Sequence, residues 1–221
     1  LYPEGPDVPR ATKPEDLPPL RDRIRPGVRV LFVGINPGVR SALTGHHFAG
    51  YSNRFWKLLY ESGLVPRPVT CTDDERLPEF GYGITNLVPR ASPGIGDLRP
   101  EEYEAGRAAL FAKIRRFQPE VVALVGVTLY RALFGARAGT AGPGPSLGLR
   151  DETVDGARVF VLPNPSGRNA NFSYAEMLDA FRELEAHLAT SARSASRPRR
   201  RTSGAGTSAQ SAPPPRRRAR R

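Results

Sequence analysis

The sequence predicts a three-layer α/β sandwich, a central and mostly parallel sheet flanked by helices. Two observations carry that expectation. Runs of strand length are apolar throughout instead of alternating, as strands buried on both faces are. Amphipathic helical patterns separate these runs.

Residues 1–26 are polar and Pro-rich without a sustained period and read as an N-terminal arm, although Leu17-Pro-Pro-Leu20 has the character to lie on a domain. The run 28–34, apolar from Val30 onward, is the first strand. Residues 36–52 carry Gly, Pro and Ser and read as a long loop, a length that usually signals function. A helix follows from Asn53 to a stop at Gly63, with Phe55, Trp56, Leu58 and Leu59 facing the core. Residues 84–88 form the second strand and a Pro/Gly loop continues to Leu98. Pro100-Glu101-Glu102 opens a helix that ends near Phe117, before Pro119. Residues 121–125 are the third strand, 128–134 a short helix and 135–148 a Gly/Pro-rich loop. Asp155-Gly156 centres a hairpin over 153–162. The last helix starts at the capping box Ser173-Tyr174-Ala175-Glu176 and reaches about Ala189, burying Met177, Leu178, Phe181, Leu184 and Leu188. The body of the chain is thus one domain over 27–190, and 191–221, built of Ser, Ala, Pro, Gly and Arg, is expected to be disordered.

Charge sharpens this division. Of the 33 Lys and Arg, ten Arg fall at Arg193 or beyond with no acid among them, which leaves 23 basic against 22 acidic side chains in residues 1–192, a balance of +1. The excess of the net +11 therefore sits in the tail, which suits a polyanion such as nucleic acid. One cysteine, Cys71, excludes an internal disulfide, a Cys-ligated iron–sulfur cluster and a Cys-rich zinc site. No apolar run approaches the roughly 20 residues that span a bilayer, and no leader pattern opens the sequence. A reducing cytoplasmic setting, with no membrane partner, is the expectation. His46-His47 lacks a third ligand at useful spacing, which argues against a metal. No phosphate loop or dinucleotide fingerprint follows the first strand, which disfavours a small-molecule nucleotide binder.

The chemistry-bearing signal is a pair of Asn-Pro turns placed just past apolar strands: Gly34-Ile35-Asn36-Pro37-Gly38 and Leu162-Pro163-Asn164-Pro165-Ser166-Gly167. Each alone is an ordinary turn former. In an open parallel sheet, however, ligands bind beyond the carboxyl ends of the strands, and one shared cleft accounts for both.

These two segments, with Thr44-Gly45, Phe48-Ala49, Asn53-Arg54-Phe55-Trp56-Lys57 and Gly83-Ile84-Thr85-Asn86-Leu87-Val88, occur in order over roughly residues 28–190. In them the chain resembles the mismatch-specific uracil/thymine-DNA glycosylases, a branch of the uracil-DNA glycosylase superfamily. The resemblance implies a sheet between helices and, as activity, metal-free and cofactor-free hydrolysis of the base–deoxyribose bond in double-stranded DNA carrying mismatched uracil or thymine. The base must first leave the stack. On the resemblance Asn36 is the catalytic residue, orienting a water that a neutral amide cannot deprotonate. Relatives with Asp at that position imply faster chemistry than Asn does. Phe48 corresponds to the aromatic that stacks on the flipped base, its alternative being a core ring. The backbone N–H of Ile35 and the side chains of Ser41, Asn86 and Asn164 correspond to base-contacting positions. For Asn86 a loop cap is the alternative, for Ser41 a plain loop hydroxyl. Asn164 stands where the wider superfamily often has His. Ser166, Gly167, Arg168 and Asn169 correspond to the wedge that enters the duplex; Arg168 replaces the apolar wedge of some members, the alternative being a solvated loop arginine. Asn53 is expected to cap its helix, Trp56 to lie in the core and Arg54 to be near phosphate. Asp97 is the acid of its loop and a secondary candidate for activating water. Lys57 lies within a helix, so no Schiff-base lyase is expected. A monomer is expected, and a noncatalytic DNA-damage-binding module on the same fold is the alternative function.

Overall fold

A computed structural model describes residues 13–135 and 147–196. Residues 1–12 of the expected 1–26 arm, most of the 135–148 loop and the tail beyond 196 lie outside the described residues. Strands β1 (Val30–Gly34), β2 (Tyr82–Asn86), β3 (Val121–Val125), β4 (Gly148–Val154) and β5 (Ala157–Leu162) form one sheet in the order β2-β1-β3-β5-β4. All neighbouring pairs are parallel except β4 with β5. The expected mixed, mostly parallel α/β architecture is therefore the fold.

The uninterrupted apolarity of the strands has a direct use. Side chains alternate between the faces of a sheet, and here both faces are covered. Val30 and Phe32 of β1, with Ala123 of β3, pack against Phe55, Leu58 and Leu59 of α2 (Phe55–Glu61) and against Phe181 and Leu184 of α5 (Tyr174–Ser196). Leu31, Val33 and Leu124 face the other way, onto Leu110 and Ile114 of α3 (Pro100–Phe117) and Leu129 and Leu133 of α4 (Val127–Phe134). Each fully buried side chain of this size stabilises the fold by roughly 1.5–3 kcal/mol. Among the described residues no helix is long and apolar enough to cross a membrane.

Several boundaries differ from the sequence reading. The stretch 36–52 is not one loop: it contains α1 (Val39–Thr44), bracketed by Gly38 and a left-handed Gly45. Those glycines and Pro37 hid a helix in which nothing breaks the turn. The 3-10 segment Cys71–Phe80, opened by a reciprocal Thr70/Asp73 capping box, was not foreseen. Strand β2 starts two residues earlier than its apolar run, because Tyr82 and Gly83 pair with Val30 and Leu31. The N–H groups of Leu87 and Val88 instead follow the chain past β1, to the carbonyls of Gly34 and Ile35. The first arm of the hairpin begins at Gly148, five residues before Thr153. Its turn has positive φ at both Asp155 and Gly156, as a two-residue hairpin prefers. Helix α5 continues through Ser196 instead of stopping near Ala189. Its capping box forms as predicted: Ser173 N–H donates to Glu176 and Glu176 N–H to Ser173 Oγ.

The arm preceding β1 is attached to the body. Leu17 and Leu20 are buried. Arg23 bridges antiparallel to Ile84 through two backbone hydrogen bonds, at 2.9 and 3.0 Å, along the outer edge of β2. Asp22 holds Lys113 Nζ at 2.7 Å and accepts from Thr85 Oγ1. At the opposite edge β4 alternates exposed and half-buried residues between its buried ends and carries Arg150, Asp151 and Glu152.

Candidate active site

Parallel strands that end together leave a row of loops at one rim. At that rim a cleft of about 750 Å³ opens beyond the last residues of β1, β2, β3 and β5, a volume within the range of small-molecule sites. Gly34, Ile35 and Asn36 form its floor, Asn86 and Asn164 line it from the neighbouring strand ends, and Ser41 and Phe48 line it from the α1 region. The two Asn-Pro turns do share one cleft. Among the described residues no carboxylate lines it, whereas Arg40 and Arg168 do.

Asn36 is half-buried and its amide orientation is fixed by chemistry. Nδ2 donates to the Pro37 carbonyl at 3.1 Å and to Ser92 Oγ at 2.9 Å. The Ser92 hydroxyl spends its own proton on the Gly94 carbonyl. Both neighbours therefore act as acceptors, the NH2 must face them, and Oδ1 is left as the free end. Ser92, buried in the loop after β2, was not singled out from sequence. Ala91-Ser92-Pro93-Gly94 reads as turn chemistry, and only the fold shows its hydroxyl lying against Asn36.

Phe48 has a positive φ of 51°, a costly conformation for a non-glycine residue. Its ring stacks on Phe55 at 4.2 Å and 24°, so it is propped from behind while lining the cleft. It is both things the sequence allowed, packed against the core and presented to the cavity. Ser41 sits on α1, and its Oγ accepts the Ala49 N–H at 3.1 Å, holding the chain just after Phe48.

The loop carrying His46, His47 and Phe48 is moored to Asp74, which is fully buried. One Asp74 oxygen accepts the His47 N–H at 3.0 Å; the other meets Arg23 Nε at 3.3 Å and His46 Nδ1 at 3.1 Å. Arg23 also donates to the Gly45 carbonyl, and Trp56 Nε1 to that of His47. The rings of His46 and His47 serve different partners, Asp74 and the Arg21 carbonyl, and among the described residues no group of three or more metal-ligating side chains is assembled. His47 is buried and its Nε2 lies 2.9 Å from the Arg21 carbonyl. Burial pushes its pKa below the ordinary 6.5, against the raising effects of the Arg21 hydrogen bond and of Asp74 and Asp22.

Gly34 is required by proximity. A Cβ there would stand 2.6 Å from Asn86 Oδ1 and 3.5 Å from the Phe48 ring. Asn86 is buried and faces His47; it does not cap a loop, being the last residue of β2.

On the far side, Asn164 Oδ1 accepts the Ser166 N–H at 3.0 Å and its carbonyl accepts from Asn169 Nδ2 at 2.7 Å. The loop is therefore self-braced and leaves Asn164 Nδ2 exposed in the cleft. Ser166 Oγ accepts the Arg168 N–H, and the Arg168 side chain is exposed at the cleft rim. Gly167 presses against Ser52 so closely that any Cβ would collide with it.

Five residues around the cleft take separate roles. Asn53 Oδ1 accepts the Phe55 N–H at the start of α2, as expected of a cap, and Trp56 is buried. Arg54 turns inward to Met177 Sδ and its N–H bonds the Pro165 carbonyl, so its contacts are internal. Asp97 caps its own turn by accepting the Gly94 N–H and does not line the cleft. Lys57 pairs with Glu61 on the outside of α2.

A sequence model described as the uracil DNA glycosylase superfamily matches residues 22–189.

Proposed function

The chain belongs to the uracil DNA glycosylase superfamily, and from that premise we propose that it is a monofunctional, metal-free glycosylase that flips uracil out of mismatches with guanine and leaves an abasic site, with thymine opposite guanine as the further candidate substrate. The superfamily assigns the general chemistry, cleavage of a base–sugar bond in DNA. The observation that supports the specific reading is Asn36: its NH2 is committed to two acceptors at the end of a central strand, and its carbonyl is left for a water.

In this reading the flipped pyrimidine enters the cleft and lies on Phe48. Asn36 Oδ1 accepts a hydrogen bond from one water and aims its oxygen at C1′. The glycosidic electron pair leaves with N1 of the base, and the resulting anion is delocalised over the ring. The Ile35 N–H and the amides of Asn86 and Asn164 supply polar contacts to it, with Ser41 beside them. The new bond joins the water oxygen to C1′, and the water's proton passes to solvent, since a neutral amide does not take it. With no carboxylate lining the cleft among the described residues, catalysis rests on positioning and on hydrogen bonds to the leaving anion. Slow, context-gated excision follows.

That lack of a carboxylate also favours a second reading, a noncatalytic module that recognises damaged DNA. A duplex carrying one uracil opposite guanine separates the two: an alkali-labile abasic product supports the enzyme, and binding without product supports the module. The same duplex with thymine, and with each other opposing base, defines specificity.

Arg168 is proposed as the wedge, together with Ser166, Gly167 and Asn169. Guanidinium is planar, stacks, and pairs bidentately with guanine. Arg168→Ala is expected to lower excision from duplex about tenfold more than from single strands. Equal losses on both would remove the wedge role. For the Arg-rich tail we propose a sequence-blind tether. Deleting residues 193–221 is expected to flatten the salt dependence of nonspecific DNA binding, since each phosphate contact steepens it; an unchanged slope leaves the tail without that role.

A further inference from the structure

We propose that His47 is a positioning residue that decides which end of the Asn86 carboxamide meets the flipped base. The inference rests on the glycosylase reading above, in which Asn86 contacts the pyrimidine.

The chain of bonds begins at a main-chain carbonyl. The Arg21 oxygen, 2.9 Å from His47 Nε2, only accepts, so that nitrogen carries the proton. In the neutral ring Nδ1 is then a bare lone pair. Asn86 Nδ2 lies 3.4 Å from it, a long N–H···N contact that demands the NH2 end of the amide. The carbonyl end is forced to the other side, over Gly34, where the missing side chain leaves room for it. Asn86 therefore shows the cleft an acceptor. Uracil and thymine offer a donor at N3; cytosine offers a lone pair there. A histidine removed from the base by one residue thus selects the hydrogen-bonding polarity of the pocket.

The same logic gives a pH dependence. A proton on Nδ1 turns it into a donor, and Asn86 must rotate its oxygen toward it, presenting NH2 to the N3–H of uracil. The groups that act on His47 are Asp74 and Asp22, which favour the proton, and Arg23, which opposes it. Burial outweighs the two carboxylates, so the neutral ring prevails at pH 7 and the acid form appears below the ordinary value of 6.5.

The test is single-turnover release of uracil from a G·U duplex between pH 5 and 8 with the full chain. The wild-type rate is expected to fall about 10- to 100-fold on the acid side, the range set by one mispaired buried polar group. His47→Gln, which offers Asn86 an acceptor and Arg21 a donor but does not titrate, is expected to lose that fall and keep the neutral rate within a few-fold. His46→Gln is expected to retain the fall. An acid limb that persists in His47→Gln overturns the proposal. Should that variant not fold, imidazole nitrogen shifts of the wild-type protein decide: His47 protonated at Nε2 at pH 7.5 supports the arrangement, and protonation at Nδ1 overturns it. A wild-type protein that releases no uracil at any pH instead removes the glycosylase reading, and the role of His47 with it, while the nitrogen shifts still report the tautomer.

Discussion

Asn36→Ala is expected to bind a G·U duplex as tightly as the wild type and to release uracil at least about a thousandfold more slowly, the scale on which a positioned acid–base or water-orienting group acts. The cut removes the Oδ1 that meets the water and vacates the place where Nδ2 met Ser92 and the Pro37 carbonyl. Neither of those buried groups is left without a partner, because the Pro37 carbonyl still accepts the Ser92 N–H and the Ser92 hydroxyl still donates to the Gly94 carbonyl. Stability is therefore expected to change little, and the loss should appear in the single-turnover rate and not in the gel-shift affinity. A variant that excises at the wild-type rate takes Asn36 out of the mechanism.

Asp74→Ala is expected to destabilise the fold by about 3–5 kcal/mol, the cost of removing one member of a buried charge pair. The side chain is fully buried and answers Arg23, His46 and the His47 N–H together. With alanine there, Arg23 Nε and the His47 N–H lose their acceptor at once, and the guanidinium is left with the Gly45 carbonyl and the exposed Glu75. Equilibrium urea unfolding measures the loss as a lower midpoint at unchanged slope. Asp74→Asn keeps the shape and one acceptor and is expected to lose less. Because Asp74 ties the arm and the 3-10 segment to the loop that carries Phe48, uracil release should fall in step with stability. A midpoint within error of wild type contradicts this mooring role.

The layers and the central strands were legible because burial on two faces writes itself as unbroken apolarity, as in Val30–Gly34 and Val121–Val125. Short turns of helix were not. Val39–Thr44 contains no breaker, but the glycines and proline around it carry the local signal of a loop. The cleft itself was legible as two Asn-Pro turns, and the resemblance ranked Asn36 first among its residues. What stayed hidden was everything that holds those residues in place. Ser92 looks like turn chemistry, Asp74 like one acid in a polar stretch, and His47 like half of a failed metal site. Their roles depend on contacts 56, 27 and 39 positions apart in the chain, to Asn36, His47 and Asn86. No local pattern encodes a partner at that distance.

The strand-like contact of Arg23 with Ile84 has a consequence for colloidal behaviour. An open sheet ordinarily ends in unpaired amides that invite another chain to add a strand. One rim of this sheet is partly occupied by the chain's own arm, and the other breaks its pairing register between Leu149 and Thr153 and is studded with charge. Edge-to-edge stacking of copies is thereby discouraged at both rims, so crowding on a nucleic-acid lattice need not seed aggregates.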